Sequence, residues 1–283
     1  MKYGLDIPTV GTYANPHKLA DLAAEAEQAG WDGFFVWDLF LGKDGSAEPV
    51  LDPWMALAAI AMQTQHIRIG AFVTPLARRR PWQLARETVA LDHLSHGRLI
   101  FGAGLGWQPH DFAAFGEEVD LKIRAEKLDE GLAVMSGLWT GEPLNFQGKH
   151  YQVHGVTLLP RPLQAPRIPV WLAGGWPNRK PLRRAARWDG IYLMTVNQLT
   201  DELLTPAEVR EIVAYLRTHR EGSDPFDVAM NGETPADPHK GTEIVQPYIE
   251  AGATWWVEYE ASRETFEEYR QRIRQGPPRA LLG

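Results

Sequence analysis

The sequence predicts an α/β protein in which eight parallel strands close into a (β/α)8 barrel. Three observations lead there. Short β-like runs alternate with helical runs eight times along the chain. The β-like runs are apolar on both faces, as in parallel strands covered by helices. The length, 283 residues, suits one such barrel. We read a single domain over residues 1–283, with residues 140–167 as an insertion before the fifth strand.

Each unit has its own signal. Tyr3, Leu5 and Ile7 alternate as a first strand. Asn15-Pro16 then supplies a helix cap and a proline at the first helical position, and Gly30 a stop. Phe34 to Asp38 reads as a second strand, followed by a helix opened by Asp52-Pro53. Ile67 to Thr74 is a third strand, and Pro81 opens the helix that carries Leu84, Thr88 and Leu91. Leu99 to Ala103 is a fourth strand running into a glycine-rich turn, and Leu121, Ala125, Leu128, Leu132 and Met135 mark a long amphipathic helix.

The insertion breaks this rhythm. Phe146 to Tyr151 reads as a small hairpin, followed by a connector rich in proline (Pro160, Pro162, Pro166). It has too few apolar residues for a core of its own. The alternation resumes with strands at Ile168 to Ala173, Ile191 to Thr195, Phe226 to Met230 and Trp255 to Tyr259. Thr205-Pro206-Ala207-Glu208 is a capping box ahead of the helix carrying Val209, Ile212 and Leu216.

Composition narrows the function. The chain is 44% hydrophobic and 23% charged, enough to bury a large core. A formal net charge of −7 with no long basic run argues against nucleic acid as a partner. The absence of cysteine removes disulfides, thiolate zinc sites and cysteine nucleophiles. No stretch approaches the about 18 apolar residues of a membrane span, and Lys2 and Asp6 interrupt the opening residues where a signal peptide would be apolar. A cytoplasmic location is the expectation. The nine histidines show no ligand spacing with carboxylates, so no metal site is expected.

In a barrel of this kind the chemistry gathers at the C-terminal ends of the strands. There, Gly102 to Trp107 follows the fourth strand, and glycines at positions 104 and 106 would let backbone approach a flat ligand. Gly174-Gly175-Trp176-Pro177-Asn178 follows the fifth strand and opens a helix. Its free N–H groups, with Arg179, Lys180, Arg183 and Arg184 nearby, would attract a phosphate. The alternatives are an ordinary turn and a solvated basic face. Trp37, Trp107 and Trp176 are candidate apolar walls. Asp38 and His110 are the candidate acid–base groups, against the readings of an ion-paired carboxylate and a plain loop histidine.

Between residues 73 and 116 the run Val73-Thr74-Pro75-Leu76-Ala77-Arg78-Arg79-Arg80-Pro81, Leu91-Asp92-His93-Leu94-Ser95-His96-Gly97-Arg98-Leu99, Phe101-Gly102-Ala103-Gly104-Leu105-Gly106-Trp107 and Asp111-Phe112-Ala113-Ala114-Phe115-Gly116 closely resembles the luciferase-like monooxygenase family, whose members use FMN or a deazaflavin. The resemblance implies a ring lying across the barrel mouth. It also implies a non-proline cis peptide at Val73-Thr74 or its neighbour, and a phosphate near Gly174 and Gly175. Two positions depart from relatives. Leu39 follows Asp38 where many deazaflavin enzymes carry histidine, and Leu105 stands roughly where luciferase proper carries a phosphate-binding arginine. Both departures argue against histidine-assisted hydride transfer and light emission.

The reading that follows is a flavin-dependent monooxygenase using reduced FMN and oxygen on a small organic substrate. A separate flavin reductase would supply the cofactor. The alternatives are hydride transfer with deazaflavin coenzyme F420 and a flavin-binding protein without catalysis. A homodimer is expected from the resemblance alone.

Overall fold

The computed structural model describes residues 1–42, 45–195, 203–222, 224–259 and 265–279. The elements follow the predicted rhythm: β1 (Lys2–Ile7), α1 (Pro16–Gln28), β2 (Gly33–Val36), α2 (Pro53–Gln63), β3 (Arg68–Ala71), β4 (Thr74–Pro75), α3 (Pro81–Leu94) and β5 (Phe101–Gly104). Then come α4 (His110–Ala113), α5 (Leu121–Trp139), the hairpin strands β6 (Leu144–Gln147) and β7 (Gln152–Val156), β8 (Val170–Trp176) and α6 (Arg179–Ala185). The chain ends with β9 (Gly190–Thr195), α7 (Pro206–His219), β10 (Asp227–Gly232), α8 (Pro238–Ala251), β11 (Trp255–Tyr259) and α9 (Phe266–Arg274).

The parallel sheet runs in the order β3-β2-β1-β11-β10-β9-β8-β5-β4. Its ends meet. Ile69 on β3 bridges Leu99 just before β5, and the Ile100 N–H donates to the Ile69 carbonyl at 2.8 Å. The nine strands are eight barrel positions, because β3 and β4 are halves of one predicted strand. A cis peptide between Phe72 and Val73 separates them. β3 pairs with β2, and β4 pairs with β5 through Thr74 and Ala103.

Predicted caps form as expected. The Asn15 side chain accepts from the N–H groups of His17 and Lys18, Asp52 caps α2, and Thr205 with Glu208 makes a complete capping box. The hairpin β6–β7 forms a separate antiparallel pair. It is held to α5 by Glu130, which accepts from the backbone N–H groups of Lys149, His150 and Tyr151. The short helix α4 was not anticipated, since its four residues are too few to show a period. Strand five also runs on to Trp176, three residues past its predicted end.

Inside the barrel, aromatic rings take the place of a conventional aliphatic core. Phe35 and Phe72 stack with centroids 3.9 Å apart, and Trp171 meets Trp255 edge to face at 5.3 Å. Glycine makes the room. A Cβ on Gly33 would lie 2.7 Å from Phe35, and one on Gly190 would lie 2.6 Å from Trp171. Thus two of the eleven tryptophans fill the barrel interior. Above this plug the inward positions turn polar, and there the site begins.

Candidate active site

The break in strand three forms one shoulder of the mouth. Val73 follows the cis bond and packs against the interior cluster. Thr74 is fully buried, and its hydroxyl has no hydrogen-bond partner. Gly104 closes against it from β5: a Cβ there would lie 2.5 Å from the Val73 side chain. Gly106 adopts a φ of +82°, and a Cβ would press on Phe112 and Pro75 at 2.8 and 2.9 Å. Val73, Thr74, Gly104 and Gly106 are therefore brought together at the mouth.

The cis bond lies at Phe72–Val73, one peptide before Val73–Thr74 and within the expected neighbourhood.

Beneath this turn lies Arg124, which sequence reading missed. Its Nε donates to the Leu105 carbonyl at 2.9 Å, its Nη2 donates to both the Leu105 and Gly106 carbonyls, and its guanidinium sits 3.8 Å from the Phe112 ring centroid. An arginine does approach the turn after strand four, but from α5, and its donors are spent on backbone carbonyls. The signal was present. Arg124 stands four residues before Leu128, on the stripe continued by Leu132 and Met135, so helical spacing puts a cation among buried positions.

Asp38 takes the ion-paired alternative. Arg78 donates to Oδ1 at 2.8 Å and Arg79 to Oδ2 at 2.9 Å, with the Asp38 side chain wholly buried. Arg78 also bonds Asp111 at 2.9 Å, and Asp111 accepts from the N–H groups of Phe40 and Leu41. The arrangement pins the loop after β2 to the segments after β4 and β5. Because both carboxylate oxygens are held by guanidinium groups, Asp38 is placed as a brace and not as a proton carrier. His110 begins α4. Its Nε2 lies 3.7 Å from Asp111 Oδ1, beyond hydrogen-bond reach, which puts the ring at the edge of that brace.

The segment after β8 divides in two. Gly175 lies on the face that points into the barrel, paired with Met194. Gly174 points outward: a Cβ would lie 2.6 Å from Ile191 and 3.6 Å from Leu182, so its lack of a side chain serves the packing of β9 and α6. Trp176 also points outward. It belongs to the outer core, with Arg179 4.1 Å over its ring, and does not form a wall of the mouth. Asn178 occupies the N-cap of α6, exposed and with no capping bond. Trp37 is half-buried at the mouth, whereas Trp107 is 52% exposed on the turn after β5. Phe40 and Phe115 meet on the same exposed side, with centroids 4.8 Å apart.

Asp6 and Tyr192 complete the floor. Asp6 ends the inward face of β1, and its Oδ2 accepts from the Tyr192 hydroxyl of β9 at 2.9 Å. Oδ1 is buried with no hydrogen-bond partner. Burial pushes this carboxyl up to about 8, against the opposing pull of Tyr192 and Trp37. A second raised carboxyl, Glu258, faces outward instead. Burial pushes it up to about 7, and it borders a cavity of about 30 Å³ with Thr234, Tyr269 and Arg272.

Among the described residues no cluster of His, Asp or Glu has metal-holding geometry, and no helix is long and apolar enough to cross a membrane.

Comparison with known proteins agrees with this fold. The model of the luciferase-like monooxygenase family matches residues 5–240. A protein of Kineococcus radiotolerans named F420-dependent glucose-6-phosphate dehydrogenase is 29% identical over 242 residues, covering 82% of this chain and 69% of its own. A namesake from Amycolatopsis mediterranei is 34% identical over 166 residues, which span 57% of this chain and about half (49%) of that one. Among solved structures, an F420-dependent secondary alcohol dehydrogenase bound to an F420–acetone adduct superposes with a TM-score of 0.77 at 15% identity, covering 97% of this chain and 98% of the other. The monooxygenase RslO1 of Streptomyces bottropensis superposes at 0.76 with 20% identity and 97% of both chains covered. At such identities the structures speak for the fold, and the family model speaks for descent: this chain belongs to the luciferase-like monooxygenase family.

Proposed function

We propose that the protein is an oxidoreductase that transfers hydride between a deazaflavin, coenzyme F420, and a small organic substrate. The observation that carries this reading is the similarity over 242 residues to a relative named for its use of F420. It reverses the order of the two cofactors reached from the sequence, where FMN came first. The strand-three shoulder supports placing a flat ring at the barrel mouth. The Val73 side chain packs against the bare backbone of Gly104, and the unpartnered Thr74 hydroxyl could bond a ring heteroatom. Trp37 and Gly175 complete the set of candidate contacts around the axis, and Asn178 with the start of α6 remains the proposed place for the phosphate. When bound, the deazaflavin supplies the hydride chemistry. The chain holds it, orients it and excludes water.

The second reading is the one reached first from the sequence, an FMN-dependent monooxygenase, and it would use the same part of the mouth. Paired titrations of the protein with F420 and with FMN, each oxidised and reduced, decide between them by tryptophan fluorescence. We expect F420 to bind at least about tenfold tighter, a difference of about 1.4 kcal/mol. Preference for FMN would overturn the proposal.

A further inference from the structure

We propose that Asn231 is the residue by which this mouth selects its substrate, a small molecule that carries an amide edge, an N–H beside a C=O. The inference rests on the oxidoreductase reading above only in taking the mouth as the active site. It adds a specificity residue and a substrate class, and it holds for either cofactor.

Position comes first. β10 sends Ala229 into the interior cluster and Met230 into the outer core. A Cβ on Gly232 would collide with Trp256, which belongs to that outer core. Alternation therefore turns Asn231 toward the barrel axis, next to the C-terminal end of its strand. The registers fix its height. Because the strands tilt, the level climbs by about one residue from each strand to the next, and every layer draws on alternate strands. Followed around the sheet in this way, Asp6 on β1, Phe72 after β3, Ala173 on β8 and Asn231 on β10 share one layer. That layer is the top of the aromatic plug, with Phe35 and Tyr192 beneath it. β10 lies across the barrel from strand three. The shoulder of Val73 and Thr74 is the proposed place of the ring, so Asn231 stands on the side left to the substrate.

Chemistry comes next. Asn231 is half-buried, and its carboxamide has no hydrogen-bond partner among the described residues. The plug closes the barrel below, so the accessible part of the side chain faces the mouth. On its two flanks, Met194 of β9 and Val257 of β11 point inward with the interior cluster. The carboxamide thus stands between apolar side chains that cannot satisfy it.

The substrate class follows from the donor and acceptor set. A carboxamide presents an acceptor oxygen and an N–H donor side by side in one plane. An amide edge meets both at once: its N–H donates to Oδ1, and its C=O accepts from Nδ2. A ketone meets the donor and leaves Oδ1 unpaired. A hydroxyl brings a single atom to two partners. A site built around such a pair rejects the analogue that lacks one of the two groups.

Calorimetric titration with δ-valerolactam and cyclohexanone tests the inference, on the protein alone and on the protein saturated with F420 or with FMN. The two rings have the same size and differ by an N–H in place of a CH2. The wild type should bind the lactam at least about tenfold tighter than the ketone. Asn231→Leu should weaken the lactam by at least roughly tenfold, leave the ketone within about twofold, and leave cofactor affinity unchanged. Asn231→Ala, which cannot overpack the layer, should do the same, and thermal melts establish that both variants are folded. A merely structural role would weaken both probes together, and that result overturns the assignment of Asn231. So does a preference for the lactam that survives both substitutions. Equal wild-type affinity for the two probes, or binding of neither, overturns the substrate class. Loss of cofactor affinity in the variants would hand the carboxamide to the cofactor and overturn its role toward substrate. A wild type that prefers the lactam but binds neither F420 nor FMN upholds Asn231 and overturns the cofactor reading instead.

Discussion

Asp38 shows how far a residue can be read without its partners. Its place at the end of an apolar strand was visible, but its ligands lie 40 and 41 positions away, at Arg78 and Arg79, and only folding brings them together. The same holds for Asp6, whose partner Tyr192 is 186 residues distant. Polar residues at strand ends were legible as candidates, and the choice among them was not, because it depends on long-range pairing. The brace carries a testable consequence. Asp38→Ala leaves two guanidinium groups without their shared carboxylate in a buried setting, so we expect a loss of roughly 3–5 kcal/mol in urea unfolding. A loss below about 1 kcal/mol, the worth of a surface pair, would contradict the account of Asp38 as a buried brace.

At the scale of elements, period and capping residues located the strands and most helices. They did so because each signal is local: a proline at a first helical turn, an asparagine or threonine before it, an apolar run between glycines. Faces were harder. Gly174-Gly175 reads as one glycine turn, yet the strand continues through it, so alternation sends the two residues to opposite sides of the sheet. Gly174 is a packing residue and Gly175 is the one that reaches the barrel axis. Accordingly, Gly174→Val should force Ile191 aside and destabilise the fold by roughly 1–3 kcal/mol, while the folded fraction keeps its cofactor affinity within about twofold. Thermal melts with parallel F420 titrations measure both. Undiminished stability together with lost binding would return Gly174 to the cofactor site. Strand three is a further case. Its extent was legible, but its division into β3 and β4 arises from a backbone feature at Phe72–Val73 to which the sequence pointed only by resemblance.

For the whole molecule, the barrel was readable because eight β-then-α units admit few other closures. The filling of the barrel was not. Trp171 and Trp255 could equally have lined a pocket, and only the glycines opposite them, Gly190 and Gly33, show that they plug the interior. The plug raises the floor of the mouth to the level of Asp6, Trp37 and the strand-three shoulder, and there the account places the cofactor. Hydrogen exchange on the protein with and without saturating F420 tests that placement most directly. The account predicts slowed exchange in residues 73–76 and 101–107 and around Gly175, where backbone would face the bound ring. Protection confined to the outer cavity beside Glu258, or no change at any of these segments, would contradict it.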